Sequence, residues 1–273
     1  MKYLKALFDF YLDASVHVAV SVWALYFVTM DILGVQGNSF LALFILMSTI
    51  VCYNFVKYGV EADKYLVVSN PYHRLIQGFS FVCFGILVYS ALHISFVLMG
   101  AIAVLTVLAA LYALPMWPNS NNLRSLGVLK IVVVALVWTG FTVLLPILDA
   151  DLAIGWDAII LLVQRFLMVL VLMLPFEVRD MRYDHPAMKT VPQRLGVEKT
   201  RKLGYVLTAL YFLLTLLKDD VAQFELVGRF LVALALIWAM YRTKEEQSRY
   251  FAAFWVEAIP LFWLVVILVI GRY

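Results

Sequence analysis

The sequence is poor in charge, in cysteine and in long polar stretches, and each shortage excludes something. Only 14% of its 273 residues are Asp, Glu, Lys or Arg, while 64% are hydrophobic and mean hydropathy is +0.93. That composition lies far outside the range of water-soluble domains. The two cysteines, Cys52 and Cys83, both stand inside apolar runs, which excludes a disulfide framework and a thiolate metal site. There is no low-complexity tract, flexible linker or heptad seam, and the small net charge of +3 gives no nucleic-acid footprint. The start, Met1 to Asp13, lacks the basic, apolar and small-residue succession of a removable signal peptide, so the first apolar run is expected to stay in the protein.

What remains is a succession of apolar runs of the length a helix needs to cross a bilayer, roughly 20 residues each. They fall at about 14–33, 39–58, 75–92, 94–114, up to Pro146, from 158, 203–217, 226–241 and 251–270. These predict an all-α membrane protein of about nine transmembrane helices, a single polytopic membrane domain over residues 1–273. Lys57, Lys64, Arg74, Arg124, Lys130, the 179–202 group, Arg242, Lys244 and Arg249 fall on one side of such a bundle. The acidic connection from Asp149 to Asp157 falls on the other, so the positive-inside rule predicts a cytoplasmic N-terminus and cytoplasmic polar loops, in a cell inner membrane. Asp9, Asp13 and His17 share a helix face, and the expected reading is an interfacial amphipathic helix rather than a metal site. Arg165 and Glu257 stand deepest in apolar runs and are expected to pair with one another or to face a central cavity.

The most charged stretch is Phe176-Glu177-Val178-Arg179-Asp180-Met181-Arg182-Tyr183-Asp184, followed by Lys189-Thr190-Val191-Pro192-Gln193-Arg194-Leu195-Gly196. If the preceding helix runs through it, Glu177, Asp180 and Asp184 share one face. Crowded carboxylates call for a cation, and hard oxygen ligands suit Mg²⁺.

This stretch resembles the second aspartate-rich motif of the UbiA-type membrane prenyltransferases, approximately D-x-R-D-x-x-x-D with a Lys-Thr-Leu-Pro-x-Arg-Leu-Gly-like tail. Glu177 stands for the first aspartate, and Arg179, Asp180, Asp184, Lys189, Thr190, Pro192, Leu195 and Gly196 match. The family's first motif, N-D-x-x-D-x-x-x-D, survives here only as Asn54: its aspartate positions hold Phe55, Tyr58 and Ala62, with Glu61 and Asp63 beside the last. Asn70-Pro71-Tyr72-His73-Arg74 and Leu111-Tyr112-Ala113-Leu114-Pro115 are fainter echoes.

The resemblance implies a UbiA-like bundle that transfers an isoprenyl group from a prenyl diphosphate to an aromatic or other lipophilic acceptor within the lipid bilayer. It implies Mg²⁺ held by Glu177, Asp180 and Asp184, catalytic roles for Asp180, Asp184 and Lys189, and diphosphate binding by Asn54, Lys57, Arg74, Arg179 and Arg182. The missing first-motif aspartates leave a second reading beside it: a non-catalytic UbiA-like protein that binds an isoprenoid or lipid.

Overall fold

The computed structural model describes residues 2–58, 70–113 and 127–271. Glu61, Ala62, Asp63, Lys64, Pro115 and Arg124 lie outside the described residues.

Among the described residues, eight helices are long and apolar enough to cross a membrane, and a shorter apolar helix covers Phe96–Leu111. In chain order they are α1 (Lys2–Asp13), α2 (Val16–Leu33), α3 (Ser39–Tyr58), α4 (Pro71–Ala91), α5 (Phe96–Ala113), α6 (Val128–Thr139), α7 (Leu145–Asp149), α8 (Trp156–Asp180), α9 (Val191–Leu213), α10 (Gln223–Arg242) and α11 (Ile259–Ile270). α1 lies outside the set of spans. A π turn, Gly140–Leu144, joins α6 to α7 within one span, and a second, Phe251–Val256, leads into α11.

Starts and stops follow the local sequence. Asn70 caps α4 by accepting the Tyr72 N–H, and Pro71 occupies the first helical position, where no N–H is needed. Gly34 ends α2 in the left-handed conformation at φ 65°. Ser15, also left-handed at φ 59°, breaks the chain between α1 and α2, so α1 leaves the line of α2 and exposes Tyr3, Leu4 and Leu7 on one face. That face suits the membrane interface, as the sequence predicts for α1.

Neighbouring spans pack in the order α5, α6, α8, α9, α10, α11, α2, α3, α4. Packing between α4 and α5 is sparse, so the circuit is open there. α8 and α2 are the most enclosed helices, with thirteen and eleven buried residues, whereas α4 buries only Ile76, Cys83 and Ser90, a stripe seven residues apart. In lipid an exposed Leu or Phe costs nothing, so cohesion rests on close packing and on polar groups satisfied between helices. Arg165 is such a group: it donates to the Leu25 carbonyl and to Thr29 Oγ1 at 3.1 and 3.0 Å. Cys52 and Cys83 are both free.

Candidate functional site

Two cavities of similar size meet inside the bundle. The first, about 380 Å³, lies at the end of α8 that carries the charged stretch. Its wall includes Asp13, Lys57, Lys130, Glu177, Arg179, Asp180, Asp184, Arg249 and Glu257. The second, about 390 Å³, lies between α3 and α4 on one side and α5 and α6 on the other, where the circuit of helices is open. It is lined by Val22, Phe44, Val51, Phe55, Phe84, Leu87, Ala109, Val137 and Phe141, with Ser48, Thr49, Cys52 and Thr106 as minor polar contributions.

Tyr53 and Trp138 belong to both walls, and the Trp138 indole N–H donates to the Tyr53 hydroxyl at 3.0 Å. This pair is the partition between a charged chamber and an apolar groove. Tyr53→Phe removes the acceptor while keeping the ring, and is expected to cost about 1 kcal/mol. Thermal unfolding in detergent reads this as a lowered Tm; an unchanged Tm contradicts the contact.

The chamber is built around Lys130. Its ammonium lies 2.9 Å from Glu177 Oε1 and 2.7 Å from Asp184 Oδ2, with Lys130 and Glu177 both buried. Gly127 sets this up. At φ 55° it caps α6 against the backbone of the motif's tail, where an added Cβ would stand 2.1 Å from the Met188 carbonyl oxygen. Only glycine combines that φ with that approach, and Lys130 follows one turn later.

α8 ends at Asp180, but the Asp184 N–H still bonds the Asp180 carbonyl at 2.9 Å, carrying the chain through one further turn. Glu177 and Asp184 therefore come together, as helical spacing predicts. The Asp180 carboxylate turns instead to its neighbour Arg179, which donates from Nε and Nη2 at 2.7 and 3.1 Å. Beyond this turn Gln193 accepts the Thr190 N–H at 3.0 Å, and Gly196, at φ 77°, kinks α9.

At the chamber's outer edge Arg249 grips Asp13 at 2.7 and 2.9 Å, Tyr72 donates to Asp13 at 3.0 Å, and Tyr250 donates to Asp9 at 2.8 Å. The bond to Asp13 raises the Arg249 pKa above its ordinary value, and the bond to Asp9 raises that of the Tyr250 phenol. Burial, seconded by the charge of Glu257, raises that of Tyr11. These contacts tie α1 to the entrance, so the Asp9 and Asp13 face is used for anchorage. His17 is held by Tyr11 at 2.8 Å and the Phe254 carbonyl at 3.0 Å.

The residues implied by the motif divide accordingly. Glu177, Asp180, Asp184, Lys57 and Arg179 line the chamber together. Asn54, Arg74, Arg182 and Lys189 do not. Asn54 is buried and donates to the Ala14 carbonyl and Ser80 Oγ at 3.1 and 2.9 Å, fastening α3 to the α1–α2 break and to α4. Arg182 reaches outward to Glu245 and Glu246, both at 3.0 Å. Lys189 is exposed in a left-handed turn at φ 53°, and Arg74 is exposed on the first turn of α4. Arg165 and Glu257 are not partners: Glu257 lines the chamber, with Lys57 and Arg179 as the cations acting on it, whereas Arg165 lies roughly 18 Å along α8 from Glu177 at about 1.5 Å per residue.

A divalent cation does not fit the three motif carboxylates in this arrangement. An ammonium occupies the space between two of them and a guanidinium holds the third. Among the described residues no group of three or more His, Cys, Asp or Glu side chains is arranged to hold a metal. Here Lys130 and Arg179 neutralise those carboxylates.

Sequence reasoning gave Lys130 and Arg249 a place in charge topology only, and it did not single out Tyr53 or Trp138. Lys130 carries a signal nonetheless, being a lysine two residues inside an otherwise apolar helix. The partition pair carries none, because a tyrosine and a tryptophan in apolar runs look like any other packing residues.

The sequence matches no family model and no curated protein. Its structure does match solved ones along nearly its whole length. The apo form of a UbiA homolog from Aeropyrum pernix K1 matches with a TM-score of 0.64 at 14% identity, over 92% of this chain and 98% of that one. A Cd²⁺-bound UbiA homolog from Archaeoglobus fulgidus matches with a TM-score of 0.59 at 13% identity, over 93% and 97%. Digeranylgeranylglyceryl phosphate synthase matches with a TM-score of 0.55 at 12% identity, over 98% and 97%. With eight long apolar helices and a shorter one among its described residues, the chain is a multi-pass membrane protein with the fold of these UbiA homologs.

Proposed function

We propose that this protein binds an isoprenoid lipid across the partition, with its polar head in the charged chamber and its hydrocarbon chain in the apolar groove. The observation that carries this reading is the junction of the two cavities at Tyr53 and Trp138. A groove open toward lipid gives a hydrocarbon chain little advantage over the surrounding bilayer, so affinity has to come from the head. The charged chamber supplies it.

The charges there favour a head with hydroxyl or carbonyl groups over a strongly anionic one. Four cationic side chains face five acidic ones in the chamber wall. Lys130 is engaged by Glu177 and Asp184, Arg179 by Asp180 and Arg249 by Asp13. A diphosphate would have to displace these carboxylates before Lys130, Arg179 or Arg249 could meet it. Glu177 Oε2, buried and without a hydrogen-bond partner, is an acceptor for a hydroxyl donor. By charge asymmetry the chamber faces the cytoplasm, and the chain acts as one membrane domain.

Prenyl transfer from a prenyl diphosphate to a lipophilic acceptor is the second reading. Lys57, Lys130 and Arg179 facing one chamber with Asp180 and Asp184 favour it, as does the likeness in fold to digeranylgeranylglyceryl phosphate synthase. There the cations would leave their carboxylates to take the departing diphosphate, and the acceptor would give up a proton as its bond to the prenyl carbon forms.

The two readings separate in one experiment on purified protein in neutral-lipid nanodiscs. Geranylgeraniol and geranylgeranyl diphosphate are titrated with and without Mg²⁺, and diphosphate release is followed with an aromatic acceptor present. Saturable binding of the alcohol, Mg²⁺-independent and without diphosphate release, is the expected result. Release of diphosphate would establish transfer, and binding of neither compound would reject both readings.

A further inference from the structure

In the half of the bundle away from the chamber lies a second buried charge cluster that the isoprenoid reading does not use. Arg165 is 1% exposed and Arg229 0%, and their guanidinium carbons stand 5.2 and 5.7 Å from the ring centre of Trp263, itself fully buried. Tyr211 packs edge-on to the same ring at 6.3 Å between centroids.

The charge in this cluster does not balance. Glu225 is the carboxylate present, and it serves two cations: Lys218 at 2.7 Å and Arg229 at 2.6 Å. Arg165 finds only neutral acceptors, the Leu25 carbonyl and Thr29 Oγ1. Three cations therefore share one carboxylate in the interior of a membrane bundle, where uncompensated charge is costly.

The hydrogen bonds do not balance either. Arg165 Nε, Arg229 Nη1 and the Trp263 indole N–H are buried without a close partner, and the Tyr211 hydroxyl lies beside the Arg229 guanidinium. Three such donors, one of them the indole's own, with cationic charge in excess, define the missing component: an acceptor that carries negative charge. Water would fill hydrogen bonds but leave the charge. Gly228 presents no side chain to Trp263 Nε1, as a Cβ there would lie 3.2 Å from that nitrogen.

We propose that this cluster is a binding site for a small monovalent anion, chloride by availability, held by the free donors of Arg165 and Arg229 with Trp263 and Tyr211 completing the shell. The bound anion locks α8, α9, α10 and α11 together in that half of the bundle. The site is independent of whatever occupies the chamber.

The test compares full-length protein in neutral-lipid nanodiscs in chloride and in gluconate at equal ionic strength, with ³⁵Cl NMR line broadening as a direct readout of bound halide. Chloride is expected to raise the Tm saturably and to show broadening that bromide displaces. Trp263→Phe, which keeps both arginines and loses one donor, is expected to raise the half-saturating chloride concentration at least about tenfold. Glu225→Gln, which removes the competing carboxylate, is expected to lower it. Equal Tm in the two salts, together with ³⁵Cl linewidths that Trp263→Phe leaves unchanged, would mean that water alone fills the site, and would overturn the proposal.

Discussion

Lys130→Met is expected to lower the stability of this protein by about 3–5 kcal/mol, because it leaves the buried Glu177 and the part-buried Asp184 facing one another without their shared cation. The loss has a signature that simple loss of packing lacks. Once the ammonium is gone, the two carboxylates form the pair of hard oxygen ligands that a divalent cation requires, so Mn²⁺ should restore part of the lost Tm. Wild-type protein should gain much less from Mn²⁺, since the space is filled. Lys130→Arg keeps the charge with a longer, forked head and is expected to fall between the two. Equal Mn²⁺ stabilisation of wild type and Lys130→Met would contradict the resident role of the lysine.

Gly127→Ala should be nearly as damaging, although it changes a single methyl group and no charge. The left-handed φ of 55° alone costs an alanine about 1–2 kcal/mol. The methyl would also sit 2.1 Å from the Met188 carbonyl oxygen and 2.7 Å from that of Lys189, so the start of α6 must move off the motif's tail. Lys130 moves with it. The variant is expected to lose about 3 kcal/mol or more, strain and overlap combined, and to share the Mn²⁺ response of Lys130→Met. Gly85 and Gly100, inside α4 and α5 with nothing within 4 Å of an added Cβ, provide the controls: alanine at either should leave stability unchanged or raise it by up to about 1 kcal/mol. A Gly127→Ala protein as stable as these controls would show that α6 does not dock as described.

How much of this was legible in the sequence depends on the physics behind each feature. The spans were, because an apolar run of bilayer length has few other fates. Some of their ends were, because Asn70-Pro71 and Gly34 carry standard helix-boundary chemistry, but α9 begins at Val191, well before the apolar run expected from 203, because its first turns are polar. The meeting of Glu177 with Asp184 was legible as helical periodicity. The direction of the Asp180 carboxylate was not, because the adjacent Arg179 competes for it through a local contact that spacing does not encode. Asn54 resembled a motif residue, yet its amide is spent on Ala14 and Ser80, partners 40 and 26 residues away that only the fold brings near. The partition is a similar case. Tyr53 and Trp138 stand 85 residues apart on α3 and α6, and neither sequence neighbourhood announces a cavity.

Photoaffinity mapping tests the central claim, that one isoprenoid spans chamber and groove, most directly. A geranylgeraniol analogue with a diazirine near the far end of its chain is activated in nanodiscs, and labelled peptides are sequenced with and without excess unlabelled geranylgeraniol. The account predicts competable labelling at groove positions such as Phe44, Phe84, Ala109 and Phe141, reduced when Tyr53 and Trp138 are both replaced by alanine. Labelling spread over the outer faces of α4 and α5, at Phe81, Val97 and Val104, and insensitive to the competitor, would contradict it.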